Sequence, residues 1–113
     1  MPRVPTVRVI DSLSASAVSR LFRVLANDTR VRLLQVLVSR DEMCVGDLAD
    51  ALDMRIQAVS NQLQRLADQG VLAVRRDGTK MLYRVDDPCV AELLDLGLCL
   101  TETSRRPPRR ARA

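Results

Sequence analysis

The sequence predicts a mainly α-helical domain with one small β-hairpin, and three observations carry that prediction. Two short helical patterns lie between Cys44 and Leu72, with only about four residues between them. Two β-prone basic runs follow at once, separated by Asp77-Gly78. Apolar residues recur at helical spacing near both ends of the chain, from Ser14 and again from Pro88. Helix, tight turn, helix and basic hairpin, in that order, make a winged helix-turn-helix. The first and last helices are then left to dimerise.

In chain order, Met1 to Ile10 holds two prolines and β-branched residues, so residues 1–13 read as an extended arm. Ser14 to Ala26 is amphipathic, with Ala17, Val18, Leu21, Phe22 and Leu25 on one stripe. Asn27 has the chemistry of an N-cap, and Asp28 favours the first turn of a new helix. That helix, Asp28 to Ser39, is nearly all apolar apart from Arg30, Arg32 and Gln35, which predicts the buried centre.

The next helix buries Leu48, Ala49 and Leu52, and the one after it Val59, Leu63 and Leu66. The second of these presents Gln57, Ser60, Asn61 and Gln64 on its other side, a polar stripe without acids. Amides and hydroxyls can donate and accept at base edges in the major groove of DNA. The same residues would also suit the solvated side of an ordinary helical hairpin.

Val71 to Arg76 and Thr79 to Val85 flank Asp77-Gly78, a pair that favours a hairpin because glycine accepts positive φ. The hairpin carries Arg75, Arg76, Lys80 and Arg84, charges that can meet phosphates. The other reading is a solubilised edge hairpin. Asp87-Pro88 then opens a last helix to about Thr103, with proline at its first position. Its apolar set, Val90, Leu93, Leu94, Leu96, Leu98 and Leu100, exceeds one face, so part of it should pack on a second copy of the chain.

At 113 residues the chain suits one domain with a modest core. Phe22 and Tyr83 are the only aromatics, which argues against a base-stacking single-strand binder. There is no bilayer-spanning run and no signal-peptide pattern, so the expected location is the cytoplasm and no membrane partner is expected. The net charge is +4. Five of the 18 basic residues, Arg105, Arg106, Arg109, Arg110 and Arg112, lie in an Arg/Pro-rich tail. Residues 104–113 are expected to be disordered, and residues 14–103 to form the DNA-binding and dimerisation domain. Outside those arginines, 13 basic residues face 14 acidic ones. An enzyme is not expected: there is no histidine, no glycine-rich phosphate loop and no paired-carboxylate constellation.

Three segments carry a family resemblance. Leu25-Ala26-Asn27-Asp28-Thr29-Arg30-Val31-Arg32-Leu33-Leu34 resembles the Leu-Ala-Asp-Pro-Thr-Arg opening of bacterial ArsR/SmtB repressors. Glu42-Met43-Cys44-Val45-Gly46-Asp47-Leu48-Ala49 is similar to that family's metal-box sequence, and Ala58-Val59-Ser60-Asn61-Gln62-Leu63 to its recognition helix. The resemblance spans about residues 14–103. It implies a homodimeric winged helix that represses an operator in double-stranded DNA until a metal or metalloid ion binds. Gln57, Ser60 and Asn61 fall where the family reads bases, and Arg75, Arg76 and Lys80 fall in its wing. Asn61 replaces a usual His, while Arg55 and Ile56 replace a usual polar start.

Sensing must then rest on three cysteines. Three thiols in a cytosolic chain do not suggest a structural disulfide framework. Cys89 and Cys99 are ten residues apart on the last helix, about 15 Å along its axis, too far for one ion within a chain. Across an antiparallel pair of last helices, Cys89 of one chain can face Cys99 of the other. The resemblance adds Asp87 and Glu102 to this set, through the family's ligand pairs at the two ends of the helix. Thiolates favour soft inducers of the cadmium, lead, mercury, copper(I) or arsenite class. Cys44 lacks the arm thiols that accompany it in metal-box sensors, and Gly46 stands at the second metal-box cysteine. Three alternatives remain open: small apolar cysteines at a dimer seam, a thiol-redox or persulfide switch, and a ligand-independent dimeric interaction module.

Overall fold

The computed structural model describes residues 8–104. The expected 1–13 arm and the 104–113 tail therefore lie largely outside the described residues. Five helices and a three-stranded antiparallel sheet follow one another as α1 (Ser12–Leu25), α2 (Asp28–Arg40), β1 (Glu42–Cys44), α3 (Val45–Leu52), α4 (Ile56–Asp68), β2 (Ala73–Asp77), β3 (Lys80–Arg84) and α5 (Pro88–Ser104). No helix among the described residues is long and apolar enough to cross a membrane.

Local chemistry sets the boundaries. Asp11 caps α1, its side chain accepting the Ser14 N–H at 2.8 Å. The helix therefore starts two residues before the expected Ser14. Asn27 caps α2 as anticipated, accepting the Arg30 N–H at 3.1 Å. Asp87 caps α5: its carboxylate accepts the Cys89 N–H at 2.9 Å, and Pro88 takes the first helical position, which has no N–H to satisfy. Between α3 and α4 the chain turns in three residues, with Asp53 left-handed at φ 54°. Gly70, at φ 78°, ends α4, and the Val71 N–H returns to the Leu66 carbonyl at 2.9 Å.

The core is aliphatic. Leu33, Leu34 and Leu37 of α2 are fully buried, as the apolar run predicted, against Leu48 and Leu52 of α3 and Val59, Leu63 and Leu66 of α4. By contrast α1 buries no residue. From α5, Val90 and Leu94 lean on the core, while Leu96, Leu98 and Leu100 stay exposed.

The sheet departs from the sequence reading in two ways. The hairpin acquires a third strand, because β1 pairs with β3 in the order β1-β3-β2. Three residues are too few to show alternation in a sequence. The tight turn is centred on Gly78-Thr79 rather than on Asp77-Gly78, since Asp77 and Lys80 are already paired. Gly78 supplies the positive φ, 65°, at the first central position, which is where a mirror-image hairpin turn places glycine.

Candidate nucleic-acid interface and thiol positions

The order of elements puts α3, the short turn and α4 beside the β2–β3 hairpin. Along α4, burial follows the amphipathic pattern. Val59, Leu63 and Leu66 face the core, and Gln57, Asn61 and Gln64 are exposed, with Ser60 half-buried beside them. Gln57 Nε2 donates to Asn61 Oδ1 at 3.2 Å, so two members of the polar stripe hold each other in place. Arg55 precedes the helix without making a side-chain cap, in keeping with its replacement of a polar residue there.

Arg30 positions α4. Its Nε donates to Gln62 Oε1 at 2.6 Å and its Nη1 to the Val24 carbonyl at 2.6 Å. One guanidinium thus ties the end of α1 and the start of α2 to the middle of α4. In the sequence Arg30 stands within the Leu25–Leu34 motif, where nothing marks this tie. The sequence marks it only as one of a few polar residues, with Arg32 and Gln35, in a largely apolar helix.

The hairpin's four basic residues are not equivalent. Arg75 forms a bidentate pair with Glu42 of β1, both bonds at 2.8 Å. Arg84 lies 3.9 Å from the same carboxylate and 3.3 Å from Asp86. The Arg75 hydrogen bonds hold the Glu42 carboxyl below its usual range, and Glu42 in turn raises Arg75. Arg76 and Lys80, at the hairpin's far end, are exposed and take no part in the salt bridges among the described residues. Glu42, Cys44, Arg75, Leu82 and Arg84 share one face of the sheet, and Met43 and Tyr83 share the other with the core.

The thiols are dispersed. Cys44 ends β1, half-buried, opposite Leu82. Cys89 and Cys99 are both exposed on α5, at its first turn and towards its far end. Asp87 hydrogen-bonds the Cys89 thiol and adds its negative charge, which together push that thiol above its ordinary value. Glu102 is exposed. Among the described residues of one chain, no three side chains of ligand type come together.

Fold and surface together define a DNA-binding winged-helix regulator. The family model described as a helix-turn-helix domain matches residues 25–75. The chain is 30% identical over 86 residues to the cadmium resistance transcriptional regulatory protein CadC of Listeria innocua serovar 6a, covering 76% of this chain and 72% of that one. Among solved structures it resembles the AntR antimony-specific transcriptional repressor, at 51% identity and a TM-score of 0.78, covering 92% of this chain and 94% of that one. It also resembles the homodimeric winged helix-turn-helix domain Mb0332 of Mycobacterium bovis, a possible ArsR-family regulator, at 28% identity and a TM-score of 0.73, covering 95% and 100%. The chain belongs to the ArsR/SmtB family of DNA-binding transcriptional repressors, and it is not an enzyme.

Proposed function

We propose that this repressor works as a homodimer and leaves its operator when a thiophilic ion joins Cys89 to Cys99 of the partner subunit. The observation that carries this reading is that both thiols are exposed on α5, the helix whose Leu96, Leu98 and Leu100 are also exposed in the single chain. Thiols packed as core residues of one chain would be buried instead. The donor set suits a soft ion, because thiolate is the ligand type that selects such ions and the chain has no imidazole. Among soft ions, trivalent antimony or arsenic is favoured by the 51% identity to an antimony-specific repressor.

DNA would be read by Gln57, Ser60, Asn61 and Gln64 of α4, with Arg76 and Lys80 of the hairpin on phosphates. Asp87 holds the start of α5 in place, so Cys89 is presented from a capped, ordered turn. Asp87 and Glu102 stand within reach of their neighbouring thiols in sequence and would complete the coordination. Cys44 would join only if a third thiolate is drawn from β1. A soft ion would supply bonds to sulfur strong enough to bridge two chains. Fixing α5 against its partner would alter the spacing of the two α4 helices, which must match half-sites about 34 Å apart. A preference of a few kcal/mol for the non-binding arrangement is enough to induce.

The test is a titration of the reduced dimer with potassium antimonyl tartrate, following thiolate-to-metal absorption and operator release together. Cys89→Ser and Cys99→Ser are each expected to keep operator binding and lose release. Dimers mixed from the two variants retain one intact cross-chain pair, so about half of the bound ion should return. Absence of that recovery would sink the cross-chain site. Release driven by oxidant, without the ion, would identify a redox switch.

A further inference from the structure

Ile56, the first residue of α4, stands where its periodicity says it should not. Successive residues of an α-helix advance by about 100°, which places Ile56 within about 20° of Leu63 and about 60° of Val59. Both of those are fully buried. A regular amphipathic helix would therefore bury Ile56 as well. It is instead 58% exposed. The first turn of α4 overhangs the core, directly after the turn at Asp53, Met54 and Arg55.

Its neighbours on that overhang are polar. Ser60 lies one turn along the same edge, and Gln57 and Asn61 lie beyond it, bonded to each other. The other large exposed apolar side chains among the described residues lie on α1, α2, α5 and the hairpin, or precede α1. In α4, only Ile56 belongs to that set. The N-terminal residues of the second helix of a helix-turn-helix are those that reach base edges. An isoleucine there can neither donate nor accept a hydrogen bond. What the major groove offers such a side chain is the C5 methyl group of thymine. β-branching also holds its methyl groups in one strongly preferred rotamer on a helix, so they are presented in a fixed place.

We propose that Ile56 is a specificity-determining residue that contacts a thymine methyl group in each operator half-site. The inference rests on the reading of α4 as the DNA-reading helix, and its test separates the two. Duplexes would be selected from a randomised pool by the parent protein, and each thymine replaced singly by deoxyuridine, which removes only the methyl group. At one thymine or more per half-site, parent affinity is expected to fall about threefold to tenfold. Ile56→Ala should bind the thymine and uracil duplexes equally well, and Ile56→Val should keep part of the preference. Asn61→Ala should bind more weakly overall yet retain the uracil penalty. Uniform indifference of the parent to uracil, or a penalty that persists undiminished in Ile56→Ala, would overturn the Ile56 assignment while leaving α4 as the reading helix. Parent-like selection and affinity in both Gln57→Ala and Asn61→Ala would overturn the reading of α4 itself, and the Ile56 contact with it.

Discussion

Arg75 looks in the sequence like one of four equal wing charges, and in the structure it is already satisfied. Its guanidinium spends two 2.8 Å bonds on Glu42, whereas Arg76 and Lys80 stand clear at the far end of the hairpin. A cation that neutralises a phosphate releases counterions and steepens the dependence of affinity on salt. Replacing Arg76 or Lys80 by Ala should therefore weaken operator binding and lower that slope by about one each. Arg75→Ala should leave the slope close to that of the parent, and Glu42→Ala should raise it by setting the guanidinium loose. Fluorescence anisotropy between 50 and 200 mM salt, roughly the range in which such slopes are read, checks all four variants. An Arg75→Ala slope that falls as far as that of Arg76→Ala would mean that DNA displaces Glu42.

Among the elements, α1 depends most on its ends, because it buries no residue of its own within the chain. Asp11 caps it, and the Ser14 N–H holds the Asp11 carboxyl below its ordinary value. A carboxyl depressed in the folded state stabilises fully above its unfolded value, about 3.9, and loses that contribution as pH falls through the folded value. Asp11→Ala should thus lower Tm at neutral pH, with the gap to the parent closing in acid below about pH 4. Melting curves from pH 7 to pH 3 decide it, and a gap that persists undiminished in acid would remove the cap from the account. The elements also show what a sequence can carry. The burial of α4 was legible because it keeps one apolar stripe over 13 residues, and that of α2 because its run is nearly all apolar. The strand β1 was not legible, since three residues show no period, nor was its ion pair with a hairpin residue 33 positions on. Of the candidate site, the polar stripe of α4 could be read from its periodicity, but the exposure of Ile56 could be read only from the family resemblance. Helical spacing alone assigns it to the core, whereas the resemblance puts it in place of a polar residue at the start of the reading helix, and the structure leaves it exposed there.

For the whole molecule, most of the large apolar side chains left exposed among the described residues belong to α1 and α5. Phe22, Leu25, Val31, Leu93, Leu94 and Leu98 line an apolar groove of about 550 Å³ between α1, α2 and α5. Leu96 and Leu100 form a second exposed apolar strip on another face of α5, at 61% and 68% exposure. Covering one leucine contributes at most about 1.5–3 kcal/mol, so several from each of two copies reach the size of the roughly 4–15 kcal/mol that association costs. The proposed homodimer should accordingly dissociate in Leu96→Glu, because a carboxylate would be stranded in an apolar seam. Sedimentation velocity on the parent and the variant tests this, and a monomeric parent would refute the dimer.

The Arg30 guanidinium has a mechanical consequence. It is a strut one side chain long, anchored at 2.6 Å on a carbonyl of α1 and at 2.6 Å on a side chain of α4. A hydrogen bond is lost by about 3.5 Å, so its two anchors can part by roughly 1 Å each before the strut lets go. Within that travel the end of α1 and the middle of α4 stay joined through Arg30, and under the proposed function these are the helices that meet a second copy of the chain and DNA. Beyond it they come uncoupled, and Gln62 is left without the partner that fixes its side chain.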